Sequence, residues 1–308
     1  MMIEDGMPLP DPNDARREPL RLGFIRDYPG LVGVLARELE IATQLAREAG
    51  RLVLEVYGAG FDVEEKPDGQ GPVTEADRRA NTLLVDGLRR AFPTDDIVAE
   101  ESPDRSQHRH RERCWFVDPL DGTRELVDRT GMFAVQIGLA IHGVPRLGVV
   151  YGPVDDRLYV AVPGETGYAE ERGTRRPLTL RPPPVRSDEL RLVVSRSHPS
   201  PLTDRFRQEL GIDHVQAMGS VGLKCGAIAE GRADLYVHFS GRTYLWDTCA
   251  PEAMLRAAGG VLTDLAGVSY RYDGHALENR RGLIGCHPEV LARVLPVARE
   301  IAREGGLA

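Results

Sequence analysis

A chain of 308 residues, 42% of them apolar, is long enough to bury a substantial core and to fold as two closely packed halves. Its 39 basic and 47 acidic residues leave a net charge of -8, which argues against nucleic acid as a partner, because that binding needs a basic surface. No apolar run approaches the ~18 residues of a membrane span, and the acidic, proline-bearing stretch 1–14 does not read as a signal peptide.

Residues 1–27, rich in Pro, Asp and Arg, read as a loose arm. Leu31, Leu35, Leu39, Ala42, Leu45, Ala49, Leu52 and Val56 then recur at three- and four-residue intervals, the face of an amphipathic helix over 31–57 that Gly58 and Gly60 should stop. The polar stretch 64–74, with Pro67, Gly69, Gly71 and Pro72, reads as a loop, and a second helix follows over 75–92. Short apolar runs at 97–99 and 115–117 each finish in acidic residues. Strands are expected at 132–141, 147–151 and 158–162. The proline-rich segment 181–185 reads as a stiff connector, dividing an N-terminal α+β half (28–181) from a C-terminal α/β half (182–308). In the latter, strands at 192–195, 235–238 and 282–285 alternate with helices at 202–210, 223–230, 251–258 and 288–302. Cys114, Cys225, Cys249 and Cys286 have neither a Cys-x-x-Cys pairing nor a zinc spacing, so free buried thiols in a soluble cytoplasmic protein are expected.

Four acidic sites fall at the ends of these elements: Glu100-Glu101, Asp118, Asp121 and Asp247. Carboxylates without His or Cys partners suit hard cations, and Mg2+ is favoured over Ca2+ because no EF-hand loop is present. In Asp118-Pro119-Leu120-Asp121-Gly122-Thr123, Pro119 fixes its own φ and lets both carboxylates face one side. The Leu120 carbonyl adds an oxygen donor, Gly122 allows close backbone approach, and Thr123 opens a short helix whose free N–H groups suit a phosphate. Taken alone, Asp-Gly is an ordinary turn and Asp247 an ordinary helix cap. Their joint placement at element ends points to a metal-assisted phosphate site.

Three ordered motifs carry a family resemblance: Glu100-Glu101-Ser102, Trp115-Phe-Val-Asp-Pro-Leu-Asp-Gly-Thr123 and Trp246-Asp-Thr-Cys-Ala-Pro-Glu252. Over about residues 31–287 the chain resembles the lithium-sensitive, Mg2+-dependent phosphatase superfamily that includes inositol monophosphatase. The resemblance implies a layered α-β-α-β-α sandwich of the sugar-phosphatase type and two or three Mg2+ ions. It implies Glu100, Asp118 and the Leu120 carbonyl as ligands of a first metal, and Asp118, Asp121 and Asp247 as ligands of a second. Pro72-Val-Thr-Glu-Ala-Asp77 is similar to the family segment whose aspartate pairs with the threonine of Asp-Gly-Thr, which gives Asp77 and Thr123 the role of orienting the attacking water.

Within the superfamily, Thr123-Arg-Glu125, Ser195-Arg-Ser-His198 and Gly219-Ser-Val-Gly-Leu-Lys224 lean toward the 3′(2′),5′-bisphosphate nucleotidases. The implied substrate is a small phosphate ester, adenosine 3′,5′-bisphosphate, with inositol monophosphate or another sugar phosphate as the alternative. Gly122, Thr123, His198, Ser220, Gly222, Lys224 and Asp247 are the candidate substrate contacts, with Lys224 and His198 expected to meet a second phosphate away from the metals. Where some nucleotidases carry an arginine before the last motif, this chain has His238, with Arg242 nearby. A monomer or homodimer is expected. A haloacid-dehalogenase phosphatase would space its two aspartates by one residue, and Asp118 and Asp121 are separated by two. A non-catalytic metal-binding relative is a further alternative.

Overall fold

The apolar stripe near the N-terminus forms helix α1 (Ala36–Ala59), which buries Leu39, Ala42, Leu45, Ala49, Val53 and Val56. Gly58 lies inside this helix, contrary to the sequence expectation, because one glycine near a helix end costs only about 1 kcal/mol. The computed structural model describes residues 33–66, 71–102, 112–274 and 276–307, so the expected arm at 1–27 lies outside the described residues. The stretch read as a loop is instead flanked by a hairpin, β1 (Val63–Glu65) with β2 (Pro72–Thr74), antiparallel with Val63 opposite Thr74. Three-residue strands are too short to display an alternation that a sequence could show. Helix α2 (Glu75–Ala91) follows and packs on α1.

Strands β3 (Asp96–Ala99) and β4 (Arg113–Asp121) are parallel neighbours, and the short helix α3 (Thr123–Val127) leaves the end of β4. The sheet then grows antiparallel through β5 (Ala134–Ile141), β6 (Val144–Gly152), β7 (Arg157–Val162), β8 (Thr166–Glu171) and β9 (Thr174–Pro177), seven strands in sequence order.

Beyond the connector at 181–185 come β10 (Arg191–Ser195), α4 (Pro201–Glu209), β11 (His214–Met218), α5 (Val221–Ala229) and β12 (Leu235–His238). They are followed by β13 (Thr243–Tyr244), α6 (Leu245–Ala257), β14 (Val261–Thr263), β15 (Glu278–Asn279), β16 (Leu283–Cys286) and α7 (Pro288–Glu304). Five of these strands make a second sheet in the order β11-β10-β12-β16-β14, parallel at β11-β10-β12 and antiparallel at β16. Helix α6 starts six residues before the expected position. Pro251, a common first helical residue, sits inside it, where it leaves the Asp247 carbonyl without its usual helical donor.

The layers follow from what each face buries. Gly138 pairs with Gly148 across β5 and β6, and a Cβ at either would stand within 2.7 Å of the Ala250 backbone. These two glycines let α6 lie directly on the sheet. Tyr151, three residues after Gly148 and so on the opposite face, meets Gly50 of α1. Helices α1 and α2 thus cover one face of the seven-stranded sheet, while α5 and α6 fill the space between the two sheets. There Val150, Tyr159, Cys225, Tyr236 and Met254 share one core. An outer core joins Leu192, Phe206, Val237, Ile284, Val290 and Val294 beneath α4 and α7. The result is the expected five-layer sandwich. All four cysteines are free and buried, and no described helix is long and apolar enough to cross a membrane.

Candidate active site

The segment expected to be a turn after a strand is the end of the strand itself. Ladder pairing of β4 with β5 runs regularly to Asp118 opposite Gln136, then jumps to Asp121 opposite Ala134. Pro119 cannot donate to a ladder, so the strand bulges there, and the extra residue re-aims the carboxylates. Asp118 is buried and its Oδ1 accepts a hydrogen bond from the Leu120 amide (3.0 Å). Asp121 Oδ2 accepts from Gln136 Nε2 (2.5 Å), Ser220 Oγ (2.5 Å) and the Gly222 amide (3.0 Å). Ser220 caps α5 with a left-handed φ of 56°, a strained backbone for a residue with a side chain, and this aims its hydroxyl at Asp121.

Two aspartates share a second device. Each is the third residue of its helix and caps the chain before it through one oxygen. In α2, Asp77 Oδ2 accepts from the amide and hydroxyl of Thr74, both at 2.7 Å, and in α6, Asp247 Oδ2 accepts from the Tyr244 amide at 2.6 Å. This capping box leaves the other oxygen free to face the site. Asp77 Oδ1 takes the Thr123 hydroxyl (2.8 Å), which also lies 3.3 Å from the Leu120 carbonyl. Asp77 and Thr123, paired by the family resemblance, therefore meet directly. Thr123 stands at the start of α3 because Gly122 adopts φ 103°, and no side chain caps that helix. Burial raises the Asp77 carboxyl to about 6, against the bonds from Thr74 and Thr123.

Asp118 lies within hydrogen-bonding reach of both Glu100 and Asp247. Burial, then repulsion among these carboxylates, drives Asp118 and Asp247 well above the ordinary carboxylate range, and burial raises Asp121 despite the Lys224 charge. Among the described residues no three His, Cys, Asp or Glu side chains stand in the arrangement of a formed ion site. Their oxygens are engaged elsewhere: Asp121 and Asp247 by the donors above, Glu100 by Lys66, whose Nζ lies 2.6 Å from Glu100 Oε1 and 2.5 Å from Glu101 Oε1. An all-oxygen donor set with too much negative charge for its burial fits a hard divalent cation.

On the substrate side the structure corrects the sequence reading. Lys224, expected away from the metal carboxylates, is buried with its Nζ 5.1 Å from the Tyr236 ring centre and within the field of Asp121 and Asp247. Burial lowers its pKa, and Asp121 and Glu125 oppose that. His198 stands beyond β10 with its amide bonded to Ser195 Oγ (3.2 Å), and partial desolvation, then Lys224, Arg124 and Arg242, lower its pKa against Glu125. His238 is buried on β12, and burial, Lys224 and His198 push it down to about 3, so it is neutral near pH 7. Of the two residues at the position of the family arginine, only the exposed Arg242 offers charge. Sequence reasoning missed Lys66, Gln136 and Tyr244. A glutamine inside the apolar run 134–141 was the one signal for Gln136. The roles of Lys66 and Tyr244 arise only when distant segments meet.

A five-layer α/β sandwich with crowded carboxylates beside a glycine–threonine helix start is the design of a phosphate-ester hydrolase. The chain belongs to the inositol monophosphatase family, whose model matches residues 35–303. It is 41% identical over 239 residues, 76% of this chain and 93% of the relative, to the 3′(2′),5′-bisphosphate nucleotidase CysQ of Escherichia coli O157:H7. It is 32% identical over 265 residues to the 3′-phosphoadenosine 5′-phosphate phosphatase of Mycobacterium leprae, covering 85% of this chain and 93% of that one. Among solved structures, CysQ from Bacteroides thetaiotaomicron superposes with a TM-score of 0.68 at 31% identity, over 82% of this chain and 97% of that one.

Proposed function

We propose that this phosphatase removes the 3′-phosphate of adenosine 3′,5′-bisphosphate with the help of two or three Mg2+ ions. The observation that carries the reading is the Asp77–Thr123 hydrogen bond, set beside carboxylates that burial and mutual repulsion leave in need of a cation. Glu100, Asp118 and the Leu120 carbonyl would hold one ion, and Asp118, Asp121 and Asp247 another. Bound Mg2+ supplies Lewis-acid activation of water and neutralises charge at the leaving oxygen. The chain's own groups do the rest. Thr123 Oγ, tied to Asp77, accepts the hydrogen bond of the attacking water and sets its direction, and Asp77 takes up the proton demand through that hydroxyl. The uncapped amides after Gly122 hold phosphate oxygens. Ser220 and the Gly222 amide fix Asp121 and border the substrate, while Lys224, His198 and Arg242 give the positive field for the second phosphate.

The names of the bacterial relatives support the nucleotide bisphosphate as substrate. A sugar phosphate remains the second reading, because the fructose-1,6-bisphosphatase/inositol-1-monophosphatase of Thermotoga maritima is 31% identical over 271 residues. Purified protein assayed with Mg2+ against adenosine 3′,5′-bisphosphate, inositol 1-phosphate and fructose 1,6-bisphosphate should show the highest kcat/KM for the first. EDTA should abolish all turnover, and lithium should inhibit it. Equal or higher efficiency on inositol 1-phosphate overturns the substrate assignment, and full activity in EDTA overturns the metal reading.

A further inference from the structure

We infer that Asn279 is a positioning residue for the Asp247 carboxylate, acting through the backbone of Tyr244. The inference rests on Asp247 being a cation ligand. Tyr244 has extended backbone and is the last residue before α6, and its amide donates to Asp247 Oδ2 at 2.6 Å. The direction of that N–H is therefore what orients the carboxylate. The next peptide, between Tyr244 and Leu245, is gripped at both ends by one short strap of chain. Asn279 Nδ2 donates to the Tyr244 carbonyl (2.8 Å), and the Leu245 amide donates to the Leu277 carbonyl (2.8 Å). Strand β15, which carries Asn279, pairs with β13, with Thr243 opposite Asn279 and Tyr244 opposite Glu278.

Asn279 is 3% exposed, and a buried amide side chain is costly unless its donors are used. Its Nδ2 also lies 3.3 Å from Thr248 Oγ1. Thr248 Oγ1 in turn lies 3.2 Å from the Tyr272 hydroxyl, whose single proton goes to the nearer Glu252 Oε2 at 2.8 Å. A polar chain thus runs along the back of α6, away from the carboxylates, inside an otherwise apolar cluster that includes Phe116, Trp246 and Cys249. Asn279 and Thr248 both reach the Tyr244 carbonyl, in the peptide next to the one whose N–H holds Asp247. The Tyr272 end serves packing of the same helix without that contact, which makes it the natural control.

Partners that orient a metal ligand typically change affinity by about 10–100-fold when removed. Mn2+, a hard cation of the same ligand preference, is titrated by calorimetry into wild type, Asn279→Ala and Tyr272→Phe, each without substrate. Thermal unfolding of each in EDTA is measured alongside. Both variants should lose stability, but only Asn279→Ala should weaken Mn2+ binding, by about ten-fold. Thr248→Val, close in shape, removes the hydroxyl that lies 3.3 Å from the Tyr244 carbonyl and also meets Asn279 and Tyr272, and it should shift affinity in the same direction by less because the 2.8 Å Asn279 bond stays. It carries the test if Asn279→Ala does not fold. Equal Mn2+ affinities in the Tyr272 variant and in the Asn279 or Thr248 variant overturn the inference. Wild type that binds no Mn2+ overturns instead the cation reading on which it stands.

Discussion

Replacing Lys66 with methionine isolates how this site holds its charge without a cation. Lys66 Nζ touches Glu100 and Glu101 at 2.6 and 2.5 Å, and the three side chains are only 12, 22 and 14% exposed. Burial alone would lower the lysine pKa, yet the two carboxylates raise it overall, so the ammonium stays charged. A cation taken up at Glu100 Oε1 displaces the Lys66 ammonium from that oxygen. Hydrogen bonds to charged groups contribute about 1.5–3 kcal/mol net. At about 1.4 kcal/mol per decade, Lys66→Met should tighten Mg2+ binding by roughly ten-fold to a hundred-fold. The same change leaves two partly buried carboxylates without their ammonium, so the metal-free protein should unfold at lower temperature in EDTA and gain more from added Mg2+. Calorimetric titration of Mg2+ without substrate, with thermal unfolding at each concentration, reads both effects. Affinity that is unchanged, or weaker than wild type, would show that Lys66 steers Glu100 toward the ion and does not stand in for it.

Thr123→Ala should lower kcat by about a hundred-fold or more, the scale of a lost proton-transfer group, while leaving Mg2+ affinity nearly unchanged. A matching loss of Mg2+ binding would mean that Thr123 supports the ions and not the water. Lys224→Ala should raise KM for adenosine 3′,5′-bisphosphate more than for a monophosphate, because its charge meets the field of the second phosphate. Equal effects on both esters would assign Lys224 to holding Asp121. Glu252, a buried residue of α6, is raised by burial to about 7 from 4.5, so the folded state keeps a proton that the unfolded chain releases. Its contribution is complete below pH 4.5 and is lost as pH rises toward 7. Wild type should therefore lose about 3 kcal/mol relative to Glu252→Gln across that window, measured by urea unfolding in EDTA. Parallel pH curves for the two proteins would place the Glu252 proton elsewhere.

The sequence showed the chemistry best where it was local. Asp118, Leu120, Asp121, Gly122 and Thr123 sit within six residues, and their types alone imply oxygen ligands beside a helix start. Long helices such as α1 and α7 were readable because their buried faces repeat over many turns. Short or edge elements were not. β11 exposes four of its five residues and so has no alternation, and the hairpin of β1 and β2 is three residues deep. Lys224, expected away from the metal carboxylates, is instead buried beside Tyr236, Asp121 and Glu125, which other segments bring to it. The start of α6 misled because Pro251 marks a common helix entry, while the actual entry is set by Asp247 and Tyr244.

That misplaced start changes how the site is understood. Had α6 begun at Pro251, Asp247 would have been a cap on a loop, with its orientation set by whatever the loop did. With the helix beginning at Leu245, Asp247 occupies the same third position as Asp77 in α2, and each aspartate uses Oδ2 to close the turn before its helix. Both oxygens are constrained at once: one by a backbone amide, the other by its position on a rigid helix. α2 rests on α1, and α6 rests on the Gly138–Gly148 pair. The two helices thus bring one aspartate each from opposite faces of the sheet to the bulged end of β4. Asp77 reaches Thr123 there, and Asp247 lies within hydrogen-bonding reach of Asp118. Helix capping, ordinarily worth about 1 kcal/mol of stability, here also sets the direction of the two side chains to which the proposed reaction gives water orientation and metal binding.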